Sequence, residues 1–140
     1  MKKSLNQTSV KRIFRNVNYP IGDFLIQIKN ASLAGNEKVS VAKTKYIKSV
    51  AEALKKERYL TEVVDDDGVI TVTLAFHKKE PLLFGLKLVS RPGLRRYMSV
   101  DDLEKHRGPE TLILSTAHGV LSSKDAIKLR VGGEVIAKIW

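Results

Sequence analysis

The stretch LTEVVDDDGVITVTLAF, residues 60–76, decides how the first half of this chain folds. Leu60–Asp65 and Val69–Phe76 are rich in β-branched residues, and this composition predicts two strands. Asp67-Gly68 stands between them, and an Asp-Gly pair is typical of a tight hairpin turn because both central residues tolerate positive φ. The stretch therefore predicts an antiparallel β-hairpin.

The residues before this hairpin predict two helices and one more strand. Pro20 suits the first turn of a helix, and the apolar residues that follow it recur with the spacing of one helical face. These residues are Ile21, Phe24, Leu25 and Ile28. Gly35-Asn36 ends that helix, and Lys38–Ala42 alternates as a strand does. Thr44 is a suitable cap for a second helix. The buried face of the second helix is formed by Ile47, Val50, Ala51 and Leu54.

The residues after the hairpin predict a second lobe of mainly β structure. Lys78-Lys79-Glu80-Pro81 breaks the pattern and divides the chain into a basic arm (1–17), an α/β lobe (18–79) and a mainly-β lobe (80–140). The predicted elements of the second lobe are strands at Gly85–Ser90, before Met98, at Thr111–Thr116 and at Val135–Trp140, helical turns at Asp101–His106, and a short helix that starts at Ser122-Ser123-Lys124-Asp125. The predicted fold class is α/β (α+β), with an N-terminal α-β-α-β-β lobe and a C-terminal mainly-β lobe that has a short helix.

Composition and charge point to a folded protein with a polyanionic partner. The 140 residues include 25 Lys and Arg against 15 Asp and Glu, a formal charge of +10, and 43% are hydrophobic. That apolar fraction excludes a disordered polycation. A domain this basic favours nucleic acid as its partner, with an acidic membrane surface as the second choice. No segment approaches the roughly 20 apolar residues that span a bilayer, and the absence of cysteine excludes disulfides and thiol catalysis.

The first 17 residues are basic without a compensating acid, because the first carboxylate of the chain is Asp23. Such a segment is typical of a mitochondrial or plastid targeting sequence. It is equally typical of a basic arm that lies along phosphates. We favour the arm, and a lipid-surface role for the same segment stays an alternative.

The sequence carries no positive signature of catalysis, and it predicts no cofactor and no metal site. His77, His106 and His118 are too dispersed for a pair of zinc ligands on one helix, and neither a Walker A motif nor GxGxxG is present. Asp65-Asp66-Asp67 is interpreted as a solvated hairpin tip. Ser115, His118 and Asp125 are the residue types of a catalytic triad, although no GxSxG elbow accompanies them. A small RNA-directed nuclease that uses these three residues is therefore the alternative function.

Three basic or polar segments are candidates for RNA contact. Ser115-Thr116-Ala117-His118-Gly119 follows an apolar strand and offers two hydroxyls, which suit the ribose 2′-hydroxyl. We expect the helix after it to add amide donors. Arg91-Pro92-Gly93-Leu94-Arg95-Arg96-Tyr97 presents arginines around a tight turn, and arginine binds phosphate in bidentate fashion. Lys124, Lys128 and Arg130 are expected on one face of the last helix.

Four ordered strings resemble one family, bacterial-type small-subunit ribosomal protein eight. Residues 20–31 (PIGDFLIQIKNA) resemble its first helix, and residues 90–97 (SRPGLRRY) its central turn. Residues 115–121 (STAHGVL) resemble its signature loop, and residues 132–137 (GGEVIA) its closing strand. The order and spacing of all four agree, and the resemblance covers 18–140.

The resemblance implies a two-lobed α/β protein without catalysis, which is a primary binder of the central domain of 16S-type ribosomal RNA early in small-subunit assembly. It also implies neighbouring ribosomal proteins as partners, its own messenger RNA as a further one, and a bacterial cytoplasmic or organellar ribosome as its location. The RNA-binding residues that it implies are Ser115, Thr116, Ala117, His118, Gly119 and Glu134, with Tyr97, Arg91, Arg95 and Arg96 in second rank. Lys29 and Asn30 match the basic-Asn pair of the family's first helix. Ala117 departs from the usual Ser-Thr-Ser loop and removes one hydroxyl.

Overall fold

The computed structural model describes residues 19–140, which form four helices and ten strands. The basic arm predicted over 1–17 lies outside the described residues. The elements in chain order are α1 (Pro20–Ala34), β1 (Lys38–Ala42), α2 (Lys45–Lys56), β2 (Leu60–Asp66), β3 (Val69–Leu74), β4 (Phe76–His77), β5 (Glu80–Pro81), β6 (Leu86–Leu88), β7 (Tyr97–Met98), α3 (Val100–Lys105), β8 (Thr111–Thr116), β9 (Gly119–Ser122), α4 (Ser123–Lys128) and β10 (Gly133–Ile139). This mixture of helices and strands confirms the predicted α+β class.

The first half folds as its periodicity predicts. Strands β1, β3 and β2 form an antiparallel sheet in that order, and the hairpin turn is at Asp67-Gly68, where both residues have positive φ. The Thr44 side chain caps α2 by accepting a hydrogen bond from the Ile47 amide at 3.0 Å. The prediction of one strand over Val69–Phe76 was wrong in one detail, because β3 ends at Leu74 and Phe76 belongs to β4, which pairs with β5 instead of β2.

The second half contains a larger antiparallel sheet, ordered β6-β10-β8-β9, with β7 paired to β10. Three of its strands differ from the prediction, and the first is β10, which is Gly133–Ile139 instead of Val135–Trp140. The expected strand Gly85–Ser90 is only Leu86–Leu88, and Gly119–Ser122 forms a strand that the sequence did not suggest. Helix α3 begins with a full capping box between Ser99 and Asp102, whereas at α4 Ser122 accepts from the Asp125 amide.

One hydrophobic core extends through both halves of the molecule. Phe24 of α1 and Val50 of α2 belong to the same buried cluster as Ile113 of β8 and Ile136 of β10, and all four are essentially inaccessible to solvent. A smaller cluster around Leu103, Leu114 and Ala126 holds α3 and α4 against the second sheet. The lobe boundary between residues 79 and 80 stays a prediction, since the shared core joins the two halves.

Candidate nucleic-acid interface

The predicted Ser115–Gly119 loop is the tip of the β8–β9 hairpin. The register of this hairpin pairs Thr116 with Gly119, and Ala117, His118 and Gly119 are exposed. The Thr116 hydroxyl donates to the Gly119 carbonyl at 2.7 Å and accepts from the His118 amide at 3.0 Å. A hydroxyl has one proton, so Thr116 has none left for a ligand and keeps only acceptor capacity. Its first role is therefore to shape the tip.

The helix that we expected behind this loop is elsewhere. Strand β9 separates the tip from α4, and Ser122 at its far end pairs with Ile113, three positions back along β8. Three residues of strand cover about 10 Å. The amides of the α4 N-terminus therefore do not contribute to the tip, because Gly119 continues the hairpin as a strand.

Glu134 lies in a cross-strand row beside this tip. It pairs with Ser115 of β8 on one side and with Tyr97 of β7 on the other. Side chains of directly paired residues point to the same face of a sheet, so one face presents Tyr97, Glu134 and Ser115 together. The Glu134 Oε2 atom accepts a hydrogen bond from Arg95 Nη1 at 3.1 Å. The side chain of Glu134 is 15% exposed and that of Arg95 is 47% exposed, so the arginine covers the carboxylate.

Two glycines make this row possible. A Cβ on Gly133 would overlap the Ser115 carbonyl oxygen, and a Cβ on Gly132 would overlap the Met98 carbonyl oxygen. The start of β10 therefore runs against the backbones of β8 and β7 more closely than any side chain allows. This close approach sets the position of Glu134 between its two neighbours.

Two tyrosines from the helical part of the fold lie near Glu134, and the sequence did not identify either of them as a site residue. The Tyr19 hydroxyl donates to the Ser90 carbonyl at 3.2 Å, and the Arg95 guanidinium lies 5.9 Å from the centre of the Tyr19 ring. Burial raises the pKa of Tyr19, and the negative charge of Glu134 raises it further. Burial also raises the pKa of Tyr46, although its hydrogen bond to Ser115 opposes the rise. Both phenols are therefore neutral near pH 7, and the Tyr19 proton is already donated to the Ser90 carbonyl.

The central turn presents its predicted arginines to solvent. Arg91 and Leu94 bridge across Pro92-Gly93, and Arg91, Arg95, Arg96 and Tyr97 are all exposed. Arg91 also lines a groove of about 620 Å³ between α1 and β6, with Lys29 and Lys87 on its rim. Lys29 therefore lines the same groove as Arg91 of the central turn, whereas Asn30 is exposed on α1 and does not line it.

The predicted face of the last helix was wrong in one residue. Lys124 and Lys128 are exposed on α4, but α4 ends at Lys128 and Arg130 follows it with a φ of 60°. Arg130 turns away to pair with Glu104 at 3.0 Å. Its cation therefore belongs to the contact between α3 and the end of α4.

The residues of the alternative triad have other partners. The Asp125 carboxylate pairs with Lys56 Nζ at 2.8 Å, and Ser115 lies beside Tyr46. Within residues 19–140 no three His, Asp or Glu side chains cluster as metal ligands would. In the same residues, none of the helices is long and apolar enough to cross a bilayer.

Comparison with known proteins identifies the family. The family model described as "Ribosomal protein S8" matches residues 19–140. The small ribosomal subunit protein uS8 of Nitratidesulfovibrio vulgaris strain DP4 is 41% identical over 122 residues, which cover 86% of this chain and 97% of the relative. The protein of the same name from Lactobacillus helveticus is 42% identical over 127 residues, with 86% and 96% covered. The chain therefore belongs to the ribosomal protein S8 family, whose members are structural proteins of the ribosome and not enzymes.

Proposed function

We propose that this protein binds the central domain of 16S-type ribosomal RNA early in assembly of the small ribosomal subunit, in the bacterial cytoplasm. The observation that carries the proposal is the exposed β8–β9 tip beside the cross-strand row Tyr97–Glu134–Ser115. This surface offers exposed backbone groups at 117–119 and the exposed Arg95 cation. Such a set suits a distorted A-form helix, whose shallow groove displays 2′-hydroxyls and base edges.

In this proposal the basic side chains supply affinity and the tip supplies selectivity. Arg91, Arg96 and Lys29 contact phosphates without reading sequence, as cations on nucleic acid do. Ser115, Thr116, Ala117, His118 and Gly119 meet the bases and sugars, and Glu134 orients Arg95. Neighbouring ribosomal proteins bind other faces, and repression of its own messenger RNA follows if that RNA copies the same irregular helix.

Thr116→Val tests the tip. Valine has the shape of threonine but no hydroxyl, so the two hydrogen bonds that close the turn are lost. We expect binding of a central-domain RNA fragment to weaken by roughly 1–3 kcal/mol, measured by fluorescence anisotropy. The matched control is Thr73→Val on the outer face of the first sheet, which should leave binding unchanged. Equal affinity of the two variants would contradict the role of the tip.

A further inference from the structure

A cleft between the two halves gathers cations that the proposed tip does not use. This interlobe cleft, of about 490 Å³, is lined by Lys56, Glu57, Arg58, Lys124, Asp125 and Lys128. It lies where the end of α2 faces α4. All six lining residues are charged, and four of them are cations.

One of the two acidic residues of the cleft is paired with a cation. Lys56 pairs with Asp125 at 2.8 Å, so this carboxylate does not repel an anion as a free one would. The other acid, Glu57, is half-buried at the end of α2. None of the salt bridges found in residues 19–140 uses Arg58, Lys124 or Lys128, and all three side chains are exposed. Three cations of the cleft are therefore exposed and have no salt-bridge partner among residues 19–140.

Arg58 occupies a backbone position that favours glycine. It follows the C-cap Glu57 with a φ of 71°, a left-handed conformation that glycine adopts without strain. Arg130 has the same conformation after α4, but its guanidinium pairs with Glu104. Arg58 has the backbone strain without such a partner. A strained residue held by its surroundings is grounds for a functional hypothesis.

The interlobe cleft is continuous with the hairpin tip. A second concavity, lined by Lys48, Ser49, Glu52, Ala53, Lys56 and Val120, shares Lys56 with the cleft. The lining of this concavity also includes Val120, which pairs with Ser115 in the β8–β9 hairpin. The path from the tip to α4 is about 10 Å, the length of β9. One nucleic-acid strand can therefore touch both places.

We propose that the interlobe cleft is a second RNA-binding surface, which holds the sugar-phosphate chain of the same RNA that meets the hairpin tip. This proposal rests on the proposed function. Phosphate fits the cleft because the cleft presents cations and no apolar residue. A protein partner would need a buried apolar or aromatic anchor there, and the lining residues include none.

The test measures the affinity of the wild-type protein and of the variants Arg58→Gly and Lys128→Gln for the central-domain RNA fragment, at a series of salt concentrations. Each variant removes one phosphate contact, so the slope of log affinity against log salt should become shallower by about 0.9. The same coefficient makes the loss about eightfold at 0.1 M salt and about twofold at 0.5 M. Arg58→Gly should also unfold at an equal or higher temperature, since glycine relieves the left-handed backbone.

The matched control is Lys38→Gln, an exposed cation on the outer face of the first sheet, which should keep the wild-type slope. The cleft proposal is overturned if both cleft variants keep the wild-type affinity and slope, or lose affinity equally at every salt concentration, while Thr116→Val still weakens binding. If the wild-type protein does not bind the fragment, the proposed function fails and the cleft proposal with it.

Discussion

Replacing Glu134 with glutamine separates orientation from simple charge attraction. Glu134 is an anion on a surface that we propose for RNA, so its removal raises the net charge from +10 to +11 and should strengthen binding if charge alone matters. The structure gives the opposite expectation. Glu134 Oε2 holds Arg95 Nη1 at 3.1 Å and lies between Ser115 and Tyr97. Without the carboxylate the guanidinium loses the anion that fixes its direction.

The magnitude follows from the exposure of the pair. Since 47% of the Arg95 side chain is exposed, solvent screens the ion pair, so loss of the carboxylate should change the direction of the guanidinium more than the stability of the fold. Glutamine keeps the size and one acceptor oxygen, so the fold should be retained. We expect affinity for the central-domain RNA to fall about fivefold, the equivalent of 1 kcal/mol.

The assay is fluorescence anisotropy at fixed salt, with Glu62→Gln as the control. Glu62 is exposed on β2, and its replacement adds the same unit of charge away from the site. A spectrophotometric titration adds a second readout, because Glu134 raises the pKa of Tyr19, which should fall in Glu134→Gln. If Glu134→Gln binds RNA as tightly as Glu62→Gln, Glu134 does not orient the site and the reasoning is refuted.

Three further predictions concern the fold around the site. Gly133→Ala should lower the free energy of unfolding by about 2–3 kcal/mol in urea titrations, because the added Cβ overlaps the Ser115 carbonyl; a stability equal to wild type would contradict this packing. Ser99→Ala should cost about 1 kcal/mol in the same assay through loss of the α3 cap, and an unchanged midpoint would count against it. Burial raises the folded pKa of Tyr46, so its contribution to stability is complete below pH 10 and is lost as the pH rises through the folded value. Tyr46→Phe should therefore show a smaller loss of stability above pH 10 than wild type, measured by chemical unfolding across pH, and parallel profiles would exclude Tyr46 as the source.

Local patterns account for the elements that were predicted correctly. The apolar spacing after Pro20, the Thr44 cap and the Asp67-Gly68 turn each depend on residues a few positions apart. The same holds for the Ser115–Gly119 segment, whose turn residues are adjacent. The errors occur where a distant contact overrides the local preference. Gly119–Ser122 has no strong strand pattern of its own, and it becomes a strand because β8 offers it a partner.

The sequence predicted which residue types the site contains, because charge, hydroxyl content and turn residues are properties of single positions and close neighbours. It did not predict how these residues come together in space. Glu134 meets Ser115 and Tyr97 only through strand register, and Tyr19 reaches Arg95 across more than seventy positions of sequence. The interlobe cleft likewise exists only because the tertiary fold brings the end of α2, which packs in the shared core, next to α4, which packs in the smaller cluster. Burial of apolar surface drives that folding without regard to sequence distance, so no window of the sequence reveals which polar groups it brings together.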